Sequence, residues 1–133
     1  MKCFYHDDMD GHCAAFWVFR YFPDAEYIPI NYNDEFPFEK IAPDEVVYIV
    51  DFSIPVKDMR KLLTITRNVH WIDHHISAIE KYAGSGLEFL PGMRCDGIAA
   101  CVLTYLYLNM GCHSSPLPGK TDKTVHKSEL ISL

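Results

Sequence analysis

The chain has 133 residues and a mass of 15.3 kDa, which suits one domain with its own hydrophobic core. Hydrophobic residues make up 49% of the sequence and aromatic residues 14%, so the composition is that of a folded protein rather than a disordered acidic segment. The formal charge of −6 argues against a protein that binds duplex DNA through a broad basic face.

Two further classes are disfavoured by the sequence. The five cysteines show no CxxC spacing, so neither a disulfide framework nor a structural zinc site is predicted. The N-terminus leads directly into a strand-like run without a signal-peptide core, and no apolar segment approaches the ~20 residues that a membrane span requires. We therefore expect a cytoplasmic protein with no membrane partner.

The first half of the chain predicts a strand, a helix and two further strands. A short apolar run at residues 2–6 is the first strand. The helix continues to Pro23, since apolar side chains recur there at positions i, i+3, i+4 and i+7. Residues 27–31 predict a second strand, whereas the polar stretch at 33–43 predicts no definite structure. The β-branched run at 46–50 is the clearest strand in the chain.

The second half continues the alternation. A helix begins near Pro55, and residues 68–72 predict the next strand. A short helix is predicted at 76–82, a last strand at 87–90, and a long helix at 97–110 with a glycine just beyond it.

Continuously apolar strands that alternate with helices predict an α/β fold, a three-layer sandwich with a mainly parallel β-sheet. We expect one domain over residues 1–111 and a loose C-terminal tail over residues 112–133, which is rich in Ser, Pro, Lys and Thr. In such sheets ligands bind at the carboxyl ends of the strands. The residues that follow each strand are therefore the candidates for a functional site.

Acidic and histidine side chains follow three of these strands. They are His6, Asp8 and Asp10 after the first strand, Asp51 after the third, and Asp73, His74 and His75 after the fourth. A mixture of carboxylate and imidazole suits Mn²⁺, Zn²⁺, Fe²⁺ or Co²⁺ better than Ca²⁺. The first hypothesis is a metal-assisted hydrolase.

Each cluster also has a purely structural interpretation. Asp10 could cap the helix that follows it, which would leave Asp8 a solvated turn residue, and Asp51 could cap the next helix. His74 and His75 could be a neutral core pair. Because neighbouring residues at a strand end point to opposite sides, we expect one of these histidines to bind a metal and the other to face a phosphate.

The sequences HDDMDG, VDFS and IDHH, in this order and each at a predicted strand end, resemble motifs I, II and III of the DHH phosphoesterase superfamily. This superfamily includes RecJ-like exonucleases, nanoRNases, cyclic-dinucleotide phosphodiesterases and family II inorganic pyrophosphatases. The resemblance covers residues 1–110, the part that corresponds to the N-terminal DHH domain. The run from Tyr5 to Ala15 looks most like the oligoribonuclease and nanoRNase branch.

The resemblance implies two Mn²⁺ ions, for which Mg²⁺, Co²⁺ or Zn²⁺ could substitute. The implied ligands are His6 and Asp8 for one ion, Asp10 and His74 for the other, and Asp51 for both. It further implies that His75 contacts the substrate phosphate while Asp73 supports it, so these two are the candidate catalytic residues. The implied activity is hydrolysis of phosphodiester bonds in short single-stranded oligonucleotides or other small phosphate-containing nucleotides.

Two features of that superfamily lack a clear counterpart. The fourth motif contributes an aspartate after the long helix, where this sequence offers only Asp122, and 133 residues leave no room for the usual C-terminal substrate-binding domain. A second hypothesis is therefore a non-catalytic metal- or nucleotide-binding module, a decayed or truncated DHH domain. A homo-oligomer or a partner chain could complete the cleft. A receiver-like domain with an acidic Mg²⁺ pocket would fit Asp8 and Asp51 but leaves both adjacent histidines unexplained.

Overall fold

Five parallel strands form the centre of the part of the protein that the structure describes. The computed structural model describes residues 1–111. The strands are β1 (Lys2–His6), β2 (Glu26–Ile30), β3 (Val47–Val50), β4 (Val69–Asp73) and β5 (Gly92–Arg94). Their order across the sheet is β2-β1-β3-β4-β5, and every neighbouring pair is parallel. The predicted α/β fold is confirmed.

Four helices cover the two faces of the sheet. They are α1 (Met9–Tyr21), α2 (Val56–Ile65), α3 (Ile76–Tyr82) and α4 (Ala100–Asn109), with a short 3₁₀ helix at Phe38–Lys40. Helices α1 and α4 share one core cluster, and α2 and α3 share the other. The result is the three-layer sandwich that the sequence predicts.

Strand β3 shows why the sheet must be covered on both faces. All four of its residues are fully buried. Val47 and Ile49 pack into the cluster beneath α2 and α3, whereas Tyr48 and Val50 pack beneath α1 and α4. A strand that is apolar on both faces is stable only between two layers of helices, which is typical of parallel sheets.

The last strand lies at Gly92–Arg94, so the prediction of a strand at residues 87–90 is wrong. The segment 87–90 forms turns, although Leu90 does reach the core. Its backbone pairs with a side chain instead of a strand, since the buried guanidinium of Arg94 donates to the Leu90 carbonyl at 2.7 Å. The strand begins at a glycine because a Cβ there would lie 1.8 Å from the carbonyl oxygen of Trp71.

Helix α4 begins at Ala100 rather than near residue 97. Gly97 has a φ of +79°, outside the helical region, so the helix starts only after this turn. The predicted tail at 112–133, with Asp122 in it, lies outside the described residues. The cysteines at positions 3, 13, 95 and 101 are free thiols. Within residues 1–111, no helix has the length and hydropathy that a membrane crossing requires.

Candidate metal centre

The strand order reverses between β1 and β3. From β1 the chain continues to β2, toward one edge of the sheet, whereas from β3 it continues to β4, toward the opposite edge. A crevice opens at the carboxyl ends of two strands wherever such a reversal occurs, and ligands of open α/β sheets bind there. The clusters after β1 and β3 border this crevice, and the cluster after β4 lies beside it.

The turn from β1 to α1 is unusually tight. A Cβ at Gly11 would lie 2.0 Å from the carbonyl oxygen of His6, so only glycine allows the helix to start against the end of the strand. Asp8 caps this helix, with Oδ1 accepting from the Gly11 amide at 2.9 Å. Its Oδ2 lies 2.7 Å from His6 Nδ1. The Asp8 carboxylate therefore both caps α1 and contacts the imidazole of His6.

Asp10 caps α4 and not α1, the helix that follows it in the sequence and that it was expected to cap in the purely structural interpretation. Its two carboxylate oxygens accept from the backbone amides of Ala100 and Cys101, both at 2.9 Å. These are the first amides of α4, whose own N-cap residue, Ala99, offers no capping side chain. Asp10 also keeps Oδ2 within 3.5 Å of His74 Nε2. This aspartate therefore ties α1 to α4 at the edge of the crevice.

Asp51 is the most unusual residue of the site. It is 1% exposed, and neither carboxylate oxygen accepts a hydrogen bond from any described residue. His74 Nε2 lies 3.2 Å from Oδ1, and His6 Nδ1 lies 4.0 Å from Oδ2. Its φ of +53° is in the left-handed region, which strains the backbone where β3 ends. A buried carboxylate without a donor is costly unless a cation compensates it.

The pKa of Asp51 reflects the burial of its carboxylate without a hydrogen-bond donor among the described residues. Burial, reinforced by the nearby carboxylates of Asp10 and Asp8, raises the pKa of the Asp51 carboxyl from 3.8 to about 8. The metal-free fold therefore favours a protonated, neutral Asp51 near pH 7. A bound divalent cation would favour the ionised form and displace that proton.

This raised pKa predicts how the stability of the metal-free protein varies with pH. The folded state holds the Asp51 proton up to about pH 8, whereas the unfolded chain releases it near pH 3.8, so the stabilising effect of protonation is lost as the pH rises through this window. In a chelator, we expect the melting temperature to fall by roughly 5–10 °C from pH 5 to pH 8. Asp51→Asn should flatten this slope in thermal denaturation, and an unchanged slope would contradict the assignment.

The Asp73 side chain organises the loop that follows β4. Asp73 is fully buried, and its Oδ1 accepts from the backbone amides of His74 and His75 at 2.8 and 3.3 Å. The same oxygen lies 2.7 Å from His75 Nδ1. This contact fixes the orientation of the His75 ring, whose side chain remains 38% exposed, so that Nε2 is the nitrogen left for an external group.

The two histidines of this loop stay together instead of diverging. Their ring centroids are 4.5 Å apart in an edge-on arrangement. The alternation of strand residues does not apply to them, because β4 ends at Asp73 and His75 is already the N-cap residue of α3. The expectation that they point to opposite sides therefore applied strand alternation to two residues that lie beyond the end of β4.

Two groups of ligand atoms result from this geometry, each with its atoms within 4.8 Å of one another. One consists of His6, Asp8 and Asp51, and the other of Asp51, His74 and His75. Asp51 belongs to both. The donor set and the orphaned Asp51 oxygens fit divalent cations that accept both carboxylate and imidazole. All of the predicted site residues lie at this edge of the sheet, but Asp10, whose oxygens accept from α4, and Asp73 are in neither group.

One aromatic residue of the site was missed by reasoning from the sequence. The ring of Tyr32, in the loop after β2, lies 5.4 Å from the ring of His6 and 6.3 Å from that of His75. It also packs on Phe52 at 4.7 Å. The signal available in the sequence was weak, a tyrosine two residues before an acidic pair, between a predicted strand and a stretch without predicted structure. Its position depends on how that loop folds over β1.

The comparisons with known proteins bear on the fold alone. No family model matches the chain, and no curated protein matches it. Among solved structures, the chain is similar to an uncharacterized protein from Helicobacter pylori G27, with a TM-score of 0.66 and 16% sequence identity. The match covers 89% of this chain and 38% of the Helicobacter protein. The chain thus shares the fold of a segment of that larger protein.

Proposed function

We propose that this protein is a Mn²⁺-dependent phosphoesterase that hydrolyses phosphodiester bonds in short oligonucleotides or small nucleotides. The observation that carries the proposal is the sharing of Asp51 between two ligand groups, each of which also contains imidazole. A shared carboxylate is the arrangement expected where two cations lie roughly 3.5–4 Å apart, as in many enzymes that cleave phosphate esters. The resemblance of the HDDMDG, VDFS and IDHH segments to DHH phosphoesterases supports the same activity.

The residues of the two groups would divide the work. His6 and Asp8 would hold one cation and His74 the other, with Asp51 between them. The chemistry that two bound cations supply in such sites is activation of water and neutralisation of charge on the leaving oxygen. Asp10 would act from the side, by holding the N-terminus of α4 against the site and limiting the movement of His74.

His75 would bind the substrate. Its Nδ1 is engaged by Asp73, so its Nε2 can donate to a phosphate oxygen when the ring is protonated. The buried Asp73 carboxylate keeps the His75 ring in one orientation. Positioning and electrostatic stabilisation are the principal requirements of phosphoryl transfer, and this pair provides both.

The proposal is tested by assaying the full chain, with and without Mn²⁺, against bis-p-nitrophenyl phosphate, a dinucleotide and pyrophosphate. We expect hydrolysis of both diesters that is lost in EDTA and restored by Mn²⁺, with pyrophosphate the poorest substrate. Stoichiometric Mn²⁺ binding without turnover of any of the three would overturn the proposal.

That negative outcome would favour the alternative, a non-catalytic metal- or nucleotide-binding module. One observation favours this alternative. Among the described residues the second ligand group contains a single carboxylate, since Asp10, whose two oxygens accept hydrogen bonds from α4, is not part of it. A site with fewer anionic ligands holds its cation less tightly, which suits a regulated or structural site better than an efficient catalyst.

A further inference from the structure

Helices α1 and α4 run side by side in one constant register. Near their C-terminal ends the Tyr21 hydroxyl donates to Asn109 Oδ1 at 3.1 Å, and these two residues are 88 positions apart in the sequence. One turn earlier the rings of Trp17 and Tyr105 have centroids 4.8 Å apart at the same separation in sequence. A step of four residues advances each helix by about one turn, so the next pair toward the N-termini must meet in the same way.

Two cysteines occupy that next position. Cys13 of α1 and Cys101 of α4 are in this register, and their thiols are in side-chain hydrogen-bond contact. Asp10 shows how close the helices are here, because its short side chain accepts from the Cys101 amide at 2.9 Å. The buried Ala14 and Ala100 add little bulk between the backbones. Close contact of this kind suits a disulfide, which requires Cα atoms about 4.4–6.8 Å apart.

The two thiols differ in their access to solvent. Cys13 is exposed and Cys101 is partly buried, whereas Cys3 and Cys95 lie in the core. Burial, together with the hydrogen bond to Asp10, raises the pKa of the Cys101 thiol to about 12, so Cys101 is not the thiol that attacks an external oxidant. Cys13 is the thiol that an oxidant reaches, and Cys101 is held beside it as the second reactant.

We propose that Cys13 and Cys101 form a redox-sensitive pair, which a peroxide oxidises to a disulfide between α1 and α4. The Cys13 sulfur attacks one oxygen of hydrogen peroxide, the O–O bond breaks, and a sulfenic acid and one water result. The Cys101 sulfur then attacks the Cys13 sulfur, so that the S–S bond forms and the S–O bond breaks. The hydroxyl group leaves with the Cys101 proton as a second water. The two sulfurs lose two electrons to the peroxide, and a dithiol returns them.

The disulfide would change how α4 is attached to the rest of the fold. In the reduced protein Asp10 holds the first amides of this helix, since the N-cap residue Ala99 offers no capping side chain. The disulfide adds a covalent attachment one turn of α1 away. It also closes a loop of about 90 residues, which restricts the unfolded chain and stabilises the fold. This modification site does not depend on the proposed hydrolysis.

Thermal denaturation tests the cross-link through its effect on stability. Cys112 lies outside the described residues, so Cys112→Ser is the background in which the pair is examined. After one equivalent of hydrogen peroxide we expect the melting temperature to rise by roughly 10–15 °C and to return on addition of dithiothreitol. Adding Cys13→Ser, a conservative change at an exposed position, should abolish the rise. No rise in the background, or an equal rise in the Cys13→Ser variant, would overturn the proposal.

Peptide mapping identifies the partners directly. Cleavage on the N-terminal side of aspartate places each of the four described cysteines in a separate peptide. We expect the oxidised monomer from a non-reducing gel to yield one cross-linked pair, residues 10–23 joined to residues 96–121. A link from Cys13 to Cys3 or Cys95, or a link that forms only between two chains, would contradict the assignment.

Trapping of the sulfenic acid tests the order of the two steps. In the same background, Cys101→Ser removes the thiol that resolves the intermediate but leaves Cys13 open to peroxide. Dimedone, which reacts with sulfenic acids, should therefore label Cys13 about 10-fold more in this variant than in the background. Equal labelling of the two proteins would mean that Cys101 does not react with the oxidised Cys13, and the proposal would fail.

Discussion

Replacing Asp51 by asparagine is expected to abolish Mn²⁺ binding at both sites and to reduce phosphodiester hydrolysis by about 1000-fold or more. Among the described residues, Asp51 alone belongs to both ligand groups. Asparagine keeps the shape of the side chain but removes the negative charge, so each group loses a carboxylate at once. Isothermal titration calorimetry measures the bound Mn²⁺, and release of p-nitrophenol measures the reaction.

The same substitution should remove the stabilisation that the metal gives to the fold. For the wild type, Mn²⁺ at 100 times its Kd adds about 2.7 kcal/mol per site to the free energy of unfolding. The asparagine variant should gain nothing from Mn²⁺, yet in a chelator at pH 8 it should be more stable than the wild type, because the buried carboxylate is then an unpaired group. This reversal distinguishes a lost ligand from a damaged fold.

Asp7→Asn is the matched control. Asp7 is only one residue from Asp8, a proposed ligand, but its side chain is 48% exposed and its Oδ1 pairs with His12 Nε2 at 2.8 Å. It is in neither ligand group of the described chain. This variant should bind Mn²⁺ and hydrolyse diesters as the wild type does. Mn²⁺-dependent turnover retained in the Asp51 variant would contradict the shared-ligand scheme.

The fold was largely predictable because burial on both faces leaves a clear pattern in the sequence. The four residues of β3 are apolar and all buried, so the run at 46–50 could only be a central strand. The same reasoning predicted a strand at 87–90 and failed there, because the apolar residues of this segment lie in turns. What decides the position of β5 is the close approach of Gly92 to Trp71, a contact between distant segments that no local pattern encodes.

The candidate site could be predicted in its residues but not in all of its contacts. The aspartates and histidines follow strands, and parallel strands bring their carboxyl ends to one edge, so proximity follows from the fold. The link from Asp10 to the amides of Ala100 and Cys101 spans some ninety residues of sequence and depends on how α1 packs on α4. Tyr32 depends likewise on the course of an irregular loop. Contacts between distant segments are what the sequence left open.

His75→Gln is expected to lower kcat by about 100-fold while leaving Mn²⁺ binding intact. The reason is the division of roles after β4. His74 Nε2 faces the Asp51 carboxylate at 3.2 Å, whereas His75 is held through Nδ1 by Asp73 and offers its other nitrogen outward. His74→Gln should instead lose one of the two Mn²⁺ ions. His12→Gln, which changes an exposed histidine outside both ligand groups of the described residues, should alter neither quantity.

Asp73 should act through His75 rather than on the substrate. We expect Asp73→Asn to leave the fold and the Mn²⁺ stoichiometry unchanged but to remove the charge that orients the imidazole, so kcat should fall by about 10–100-fold with little change in KM. Combining Asp73→Asn with His75→Gln should cost no more than His75→Gln alone, because both act through one ring. Geometry also allows a competing assignment, since His75 is itself a member of the second ligand group, with Asp51 and His74. If His75→Gln loses one equivalent of Mn²⁺, then His75 is a metal ligand and not the residue that binds the substrate phosphate.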